Sequence, residues 1–190
     1  MSTPEAPWQA VLDSDGCPYT VHQHAAAHSA AERQALPFPW SQAVTTLAFA
    51  TSDFPLLLVV LRAEDRVDFA RLAVLSGPSR SRLRAADAGL LAAEGLVPGG
   101  VPPGSHRPGV PCLIDAAVAN PGRPVYCGAG SADRTLQINS ADLARLPRAQ
   151  VGALSVAVPP ARRAHPSSLL TPPHRPSPVA RHRSGSRSSW

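Results

Sequence analysis

Two neighbouring apolar segments constrain the fold of this chain more than any other feature: "QAVTTLAFAT", residues 42–51, and "PLLLVVLR", residues 55–62. Both are rich in the β-branched, aromatic and aliphatic residues that favour strands, and only "SDF" separates them. The pattern therefore predicts a β-hairpin in the protein core. The longest uninterrupted apolar run, residues 56–61, is far too short to span a bilayer, so we expect no membrane segment.

The first of these strands carries two adjacent polar residues, Thr45 and Thr46, in an otherwise apolar setting. Neighbouring side chains on a strand point to opposite faces of the sheet. We therefore expect one threonine to face the core and the other to face a cleft or solvent.

The remaining segments alternate between strand-like and helix-like patterns without a regular βαβ rhythm. This irregular order predicts a mixed α/β (α+β) domain rather than a doubly wound sheet. Helices are expected in "APWQAVLDSDG", "SAAERQAL", "DRVDFARLAVLSG", "AADAGLLAAEG" and "SADLARL", and further strands in "PYTVHQH", "SRLR", "CLID", "PVYCGAG", "RTLQIN" and "AQVGALSVAV".

Charge and composition divide the chain into a folded domain, residues 1–158, and a tail, residues 159–190. All 18 basic residues are arginine; six of them lie in the tail, which has no acid, so the domain holds 12 arginines against 13 acids. The Pro-, Arg- and Ser-rich tail is expected to be disordered. It is either a solvated extension without activity or a weak RNA-contacting arm.

The cysteine and histidine patterns argue against a metal site. Three widely spaced cysteines without a CxxC motif predict reduced thiols in a cytoplasmic protein, with Cys112 and Cys127 as small core residues. His22, His24 and His28 form an HxHxxxH pattern, but no Cys, Asp or Glu stands close by to complete a ligand set. We therefore expect strand histidines that face solvent, and neither a metal nor another cofactor.

A glycine- and proline-rich segment, "VPGGVPPGSHRPGVP", cannot form regular structure. Gly99, Gly100 and Gly104 permit close backbone approach, while Pro102 and Pro103 stiffen the segment. Such a loop can aim backbone N–H groups at a carbonyl or phosphate oxygen. It can equally be a structural connector, and its spacing does not decide between the two.

The order of these segments resembles the YbaK/ProX-type aminoacyl-tRNA editing domain family, which is related to the editing insertion of bacterial prolyl-tRNA synthetases. The resemblance covers about residues 5–157. It rests on "YTVHQHAAAHSAAE", "AVTTLAF", "DRVDFARLAVLSG", "GLVPGGVPPG", "GVPCLIDAAV" and "VYCGAGSADRTLQINSADLARL" in that order.

The resemblance implies a domain of mostly antiparallel strands packed with short helices, whose pocket takes the 3′ end of a mischarged tRNA. Its activity would be trans-editing hydrolysis of the ester bond, with water as nucleophile and no cofactor. A synthetase is a further possible partner. The implied catalytic residues are Thr45, Thr46, Gly99, Gly100 and Gly104, and the implied substrate-binding residues are His28, Gly128, Ala129, Gly130 and Ser131.

The chain departs from the family pattern at several positions. Thr45 stands where the family usually has a lysine, Gln137 and Asn139 lie in a strand that often carries acids, and Pro103 replaces an apolar loop residue. These departures leave an alternative open: a weak or inactive relative that binds aminoacyl-tRNA or a synthetase. A third hypothesis is an RNA- or partner-binding protein that acts through its tail.

Overall fold

The computed structural model describes residues 7–51, 56–77, 83–104, 109–120 and 122–158. The predicted disordered tail and the predicted hairpin turn at 52–55 lie outside the described residues, so both remain predictions. In the described part no helix is long and apolar enough to cross a membrane.

The described residues form short helices and strands in irregular order. The helices are α1 (Pro7–Ser14), α2 (Ala30–Gln34), α3 (Phe69–Ser76), α4 (Ala88–Ala93) and α5 (Ser140–Leu143). The strands are β1 (Tyr19–Gln23), β2 (Val44–Ala50), β3 (Leu57–Arg62), β4 (Asp65–Val67), β5 (Arg84–Ala85), β6 (Cys112–Asp115), β7 (Pro124–Gly128), β8 (Arg134–Asn139), β9 (Ala149–Gly152) and β10 (Ser155–Ala157).

The strands pair into three sheets, with the orders β5-β2-β3-β6-β9, β1-β8-β7 and β10-β4. Antiparallel pairing of β2 with β3 confirms the predicted hairpin strands, with Thr45 opposite Leu61 and Thr46 opposite Val60. Only the β3–β6 and β6–β9 pairs are parallel among the described strands. The prediction of a mixed α/β fold with mostly antiparallel strands is therefore confirmed.

The central strand β3 explains why its sequence is apolar without alternation. Its side chains are buried on both faces of the five-stranded sheet, as in other strands covered on both sides. On one face Leu58 and Val60 join a larger apolar cluster with residues of the three-stranded sheet. On the other face Leu57, Val59 and Leu61 join a smaller cluster with Leu72 of α3.

Local capping signals in the sequence fix several helix ends. Ser29 and Glu32 form the predicted capping box at the start of α2. Asp68 caps α3, and Gly77 follows the helix with a φ of 86° that favours glycine. The predicted helix "DRVDFARLAVLSG" is too long, however, because "DRV" forms β4 and pairs with β10.

The prediction of one closing strand in "AQVGALSVAV" is wrong, because this segment forms β9 and β10 in different sheets. The turn between them is fixed by Asp115, whose buried carboxylate accepts hydrogen bonds from the N–H groups of Ala117 (2.8 Å) and Leu154 (2.7 Å). Leu154 is itself fully buried in the smaller cluster. These long-range contacts break the strand where the local pattern continues.

Both cysteines predicted to lie in the core are buried there, which confirms that prediction. Burial raises the pKa of Cys112 to about 12 and also raises the pKa of Cys127 strongly. The thiols donate to the carbonyl oxygens of Pro103 and Leu136, respectively. Both side chains therefore remain protonated and unreactive at neutral pH.

Candidate functional site

A cavity of about 190 Å³ opens where the start of β2 passes β7 of the three-stranded sheet. The two sheets approach each other here through a bridge between Ala43 and Tyr126. The cavity is lined by His24, Ala27, Ala30, Arg33, Leu36, Phe38, Trp40, Ala43, Val44, Thr45, Thr46, Ala63, Gly99, Val101, Tyr126, Cys127, Gly128, Ser131, Ala132, Arg134 and Thr135.

The paired threonines of β2 lie at this cavity. Val44 and Ala48 of β2 pack in the larger apolar cluster, and Phe49 packs in the smaller one. Because side chains alternate along a strand, Thr46 lies on the same face as the larger cluster and Thr45 on the opposite face. Both still line the cavity. The Oγ1 atom of Thr46 is buried and has no hydrogen-bond partner among the described residues.

An unpaired buried hydroxyl costs about 1–3 kcal/mol of folding free energy relative to a paired one. Buried polar groups without partners are rare in native proteins and call for an explanation. A bound substrate that pairs with Thr46 would supply one.

Among the described residues of the glycine-rich loop, Gly99 and Val101 line the cavity. Gly99 lines the cavity and has a φ of 81°. Gly100 is buried, its N–H donates to Val97 O, and its carbonyl accepts from Gly130 N. Gly104 lies outside the cavity, where it borders a small apolar pocket beside Leu146. The Gly100 amide is thus already used within the loop.

The segment Gly128–Ser131 forms a wall against this loop. Gly128 and Ser131 line the cavity, whereas Ala129 is buried in the larger cluster and Gly130 packs against the Trp8 indole. A Cβ atom on Gly128 would lie 2.5 Å from Val101 O, and one on Gly100 would lie 2.6 Å from Ser131 N. Glycine is therefore needed at both positions for the two backbones to approach.

His28 is exposed and lies outside the cavity lining. Its backbone N–H donates to Glu32 Oε2, and its carbonyl accepts from Arg33 Nη2 at 3.4 Å. Hydrogen bonds from the Ser29 and His28 N–H groups lower the pKa of Glu32. His28 therefore contributes backbone groups that hold the start of α2, and its position does not favour contact with a ligand in the cavity.

Arg33 extends from α2 into the cavity lining, although no motif in the sequence marks it as a site residue. Its Nη2 atom lies 2.8 Å from the position that a Cβ on Gly99 would take, so the guanidinium group covers this glycine directly. Its remaining contacts are long ones to the carbonyl oxygens of His28 (3.4 Å) and Ala27 (3.5 Å). Sequence patterns place this residue on a short, exposed helix and give no signal of the cavity.

The cavity lining is cationic. Arg33 and Arg134 both line it, and no Asp or Glu among the described residues does. Within the described residues neither arginine forms an ion pair, whereas Arg62, Arg71 and Arg145 each pair with a carboxylate. The hydrogen bond from Ser131 lowers the pKa of Asp133, and the charge of Arg134 makes a smaller contribution in the same direction. This lining suits an anionic ligand group.

An aromatic wall accompanies the two cations. The Phe38 and Tyr126 rings stack with centroids 4.9 Å apart and planes 25° apart, and Trp40 also lines the cavity. Aromatic faces of this kind bind nucleobases by stacking, and the interaction tolerates any base.

The expectation that the strand histidines face solvent is wrong. His22 is half-buried beside Phe38 and lies 2.8 Å from Gln137 Oε1 through its Nε2 atom. His24 lines the cavity, with its Nε2 atom 2.9 Å from Thr135 Oγ1 and its Nδ1 atom 2.7 Å from Ala25 O. Both rings are held by cross-strand and local partners that a single strand pattern cannot reveal.

Gln137 and Asn139, the two polar residues that the sequence singles out in β8, both have hydrogen-bond partners within the protein. Gln137 bonds to His22, and Asn139 accepts from Ala141 N as the cap of α5. Neither residue belongs to the cavity lining. Both side chains therefore serve contacts outside the cavity.

Comparison with known proteins finds solved structures with a similar fold. A solved structure of a candidate trans-editing enzyme for prolyl tRNA synthetase is 25% identical, with a TM-score of 0.68 over 83% of this chain and 100% of that chain. A scaffold protein from computational epitope grafting is 26% identical, with a TM-score of 0.66 over 80% of this chain and 96% of the other.

A hypothetical protein at 22% identity shares the fold, with a TM-score of 0.68, and covers 80% of this chain and 100% of its own. None of the curated proteins matches this chain significantly. The model of the family described as an aminoacyl-tRNA editing domain matches residues 23–146, well over half of the sequence. The chain therefore belongs to the aminoacyl-tRNA editing domain family, as the order of its motifs indicates.

Proposed function

We propose that this protein hydrolyses, in trans, the ester bond that links a wrong amino acid to the 3′ end of a tRNA. The observation that carries the proposal is the cavity itself. It combines two arginines without an ion-pair partner in the described residues, an aromatic wall and the unpaired hydroxyl of Thr46. A tRNA 3′ end offers the matching groups: phosphates, a nucleobase and an aminoacyl ester.

Each group has a role that follows from its chemistry. Arg33 and Arg134 bind phosphate oxygens of the 3′ end through charge-assisted hydrogen bonds. The stacked rings hold the terminal base. Thr46 donates to or accepts from the aminoacyl group, and positioning of that group lowers the barrier for attack by water. The ester is already reactive, so positioning and carbonyl polarisation are the main requirements.

Arg33 also accounts for the missing family lysine. With threonine at position 45, β2 contributes no cation to the cavity at that position, but Arg33 of α2 lines the same cavity and carries a positive charge. A guanidinium keeps its charge at any physiological pH and can bind a phosphate through two hydrogen bonds. The proposed function therefore needs no lysine at position 45.

A second candidate is a protein that binds aminoacyl-tRNA, or a synthetase, without hydrolysing the ester. The threonine at position 45 favours it, because the family resemblance places a functional lysine there. For both candidates we propose a cytoplasmic location and tRNA as the partner, with a synthetase as a further possible partner. Action through residues 159–190 remains a separate prediction that concerns residues outside the described part.

A panel of mischarged tRNAs separates the two candidates. We expect the wild-type protein to deacylate at least one of them at ten or more times the rate of the protein-free control. Thr45→Lys is expected to change this rate by less than about tenfold, because Arg33 already supplies the cation. If the wild type is inactive on every tRNA and Thr45→Lys is active, the protein is a binding relative and the proposed enzyme is wrong.

A further inference from the structure

His24 and Thr135 form a hydrogen-bonded pair on the cavity wall that the proposed function leaves without a role. His24 Nε2 lies 2.9 Å from Thr135 Oγ1, and His24 Nδ1 lies 2.7 Å from the Ala25 carbonyl oxygen. Both side chains line the cavity, and Thr135 is 9% exposed. Both nitrogens of the ring therefore have short, defined contacts at a site where a substrate would bind.

The contacts define where the protons lie. A carbonyl oxygen only accepts hydrogen bonds, so Nδ1 carries a hydrogen atom and donates a hydrogen bond to the Ala25 carbonyl oxygen. In the neutral imidazole, Nε2 then has a lone pair and accepts the hydroxyl hydrogen of Thr135. This arrangement of hydroxyl, imidazole and orienting acceptor is the one that activates an oxygen atom for attack.

The surrounding sheet holds the pair in place. Thr135 stands on β8, the middle strand of its sheet, opposite His22 on β1 and Gly128 on β7. The His24 backbone N–H donates to Asp133 O (3.0 Å), which continues the β1–β8 pairing past the end of β1. A rigid strand positions a reacting group more precisely than a loop does.

His22 provides a contrast within the same strand. Its Nε2 atom lies 2.8 Å from the side-chain atom Oε1 of Gln137. His22 also lies outside the cavity lining. The two histidines share a face of the chain, but of the two only His24 combines a hydroxyl partner with a position at the cavity.

We propose that Thr135 and His24 form the proton relay that activates the attacking water, an inference that rests on the proposed deacylase function. The water oxygen forms a bond to the ester carbonyl carbon while its proton passes to Thr135 Oγ1. The Thr135 proton passes at the same time to His24 Nε2, and the Ala25 carbonyl stabilises the resulting imidazolium. A tetrahedral intermediate results.

The second half of the reaction reverses the relay. The bond between the carbonyl carbon and the ribose oxygen breaks, and the proton returns from His24 through Thr135 to that oxygen. The products are the free amino acid and a tRNA with an intact terminal hydroxyl, so no oxidant, metal or other co-reactant is needed. Thr135 contacts the water directly, and His24 acts through Thr135.

Single-turnover deacylation of the most reactive mischarged tRNA tests the relay. Thr135→Val and His24→Gln should each lower the rate constant by about 10²- to 10⁴-fold, the usual contribution of general acid–base catalysis. Their double variant should be no slower than either single variant, because the two residues act as one unit. Thr135→Ser keeps the hydroxyl and should retain activity within about tenfold, whereas His22→Gln should leave the rate constant nearly unchanged.

Binding of a non-hydrolysable 3′-aminoacylamide tRNA analogue gives the second readout. Its Kd should change by less than about threefold in Thr135→Val and His24→Gln, which a general loss of structure would not allow. If the wild type is active and both variants deacylate tRNA as fast as it does, the relay is wrong but the proposed deacylase function stands. A kinetic burst that leaves an acyl group on Thr135 would contradict the relay and indicate a covalent mechanism. An inactive wild type would contradict both the relay and the proposed deacylase function.

Discussion

Arg33→Gln is expected to weaken binding of tRNA by about tenfold or more and to lower the deacylation rate at subsaturating tRNA by a similar factor. A hydrogen bond to a charged group contributes about 1.5–3 kcal/mol, and Arg33 has no carboxylate partner among the described residues that would already neutralise it. Each phosphate contact also contributes about 0.7 to the slope of log affinity against log salt for a single strand. Titrations at several salt concentrations measure both effects.

Two variants serve as controls for this experiment. Arg33→Lys keeps the charge but loses the two-pronged geometry, so its affinity should fall between those of the wild type and Arg33→Gln. Arg66→Gln removes one charge from an exposed residue of β4 that does not line the cavity, and it should leave the affinity nearly unchanged. Equal losses in Arg33→Gln and Arg66→Gln would mean that only net charge matters and that Arg33 has no specific role.

Gly128→Ala is expected to destabilise the protein by about 1–3 kcal/mol, the usual cost of inserting a methyl group into closely packed structure. The new Cβ would lie 2.5 Å from Val101 O and 2.7 Å from the Gly100 carbonyl carbon, which are backbone atoms. The loop would have to move away from β7 and would carry Gly99 with it. Urea denaturation measures the loss, and deacylation should fall together with it.

Gly89→Ala is the matched control for this substitution. Gly89 lies in α4, and a Cβ there would meet only the Asp87 side chain, at 3.3 Å. This contact is with a side chain, which can shift, whereas Gly128 faces backbone atoms, so the loss of stability in Gly89→Ala should be clearly smaller than that in Gly128→Ala. Wild-type stability of Gly128→Ala would show that the loop does not depend on this close approach.

Local signals in the sequence predict much of the fold because they act within a few residues. The Ser29–Glu32 capping box, the Gly77 helix end and the β2–β3 hairpin strands depend only on neighbouring residues or on a short connection. The same applies to the buried cysteines, which lie in short apolar strands. The order of the motifs also indicates the family to which the chain belongs, because it combines many such local signals along one chain.

Long-range contacts decide the features that the sequence did not predict. The break between β9 and β10 depends on Asp115, which is 39 residues away from Leu154. His24 finds Thr135 across a sequence separation of 111 residues, so its strand pattern alone suggested exposure. Arg33 reaches Gly99 from a helix whose other residues are exposed or only partly buried. None of these pairs leaves a periodic trace in the sequence.

Thr46 connects the fold with the proposed activity most directly. Its buried hydroxyl has no hydrogen-bond partner among the described residues and therefore lowers stability, as expected for a group kept for a ligand. Thr46→Val keeps the shape of the side chain and removes only this hydroxyl. We therefore expect a gain of about 1 kcal/mol in stability, which raises Tm by roughly 2–4 °C in a chain of this size.

The deacylation rate of Thr46→Val, measured with its Tm, is the most direct test of whether this cavity is the editing site. We expect a more stable protein whose single-turnover rate falls by about tenfold or more, because one hydrogen bond to the reacting group is lost. Thr46→Ser, which keeps the hydroxyl, should retain most of the activity. A Thr46→Val variant that deacylates tRNA as fast as the wild type would contradict the assignment of the cavity as the site of hydrolysis.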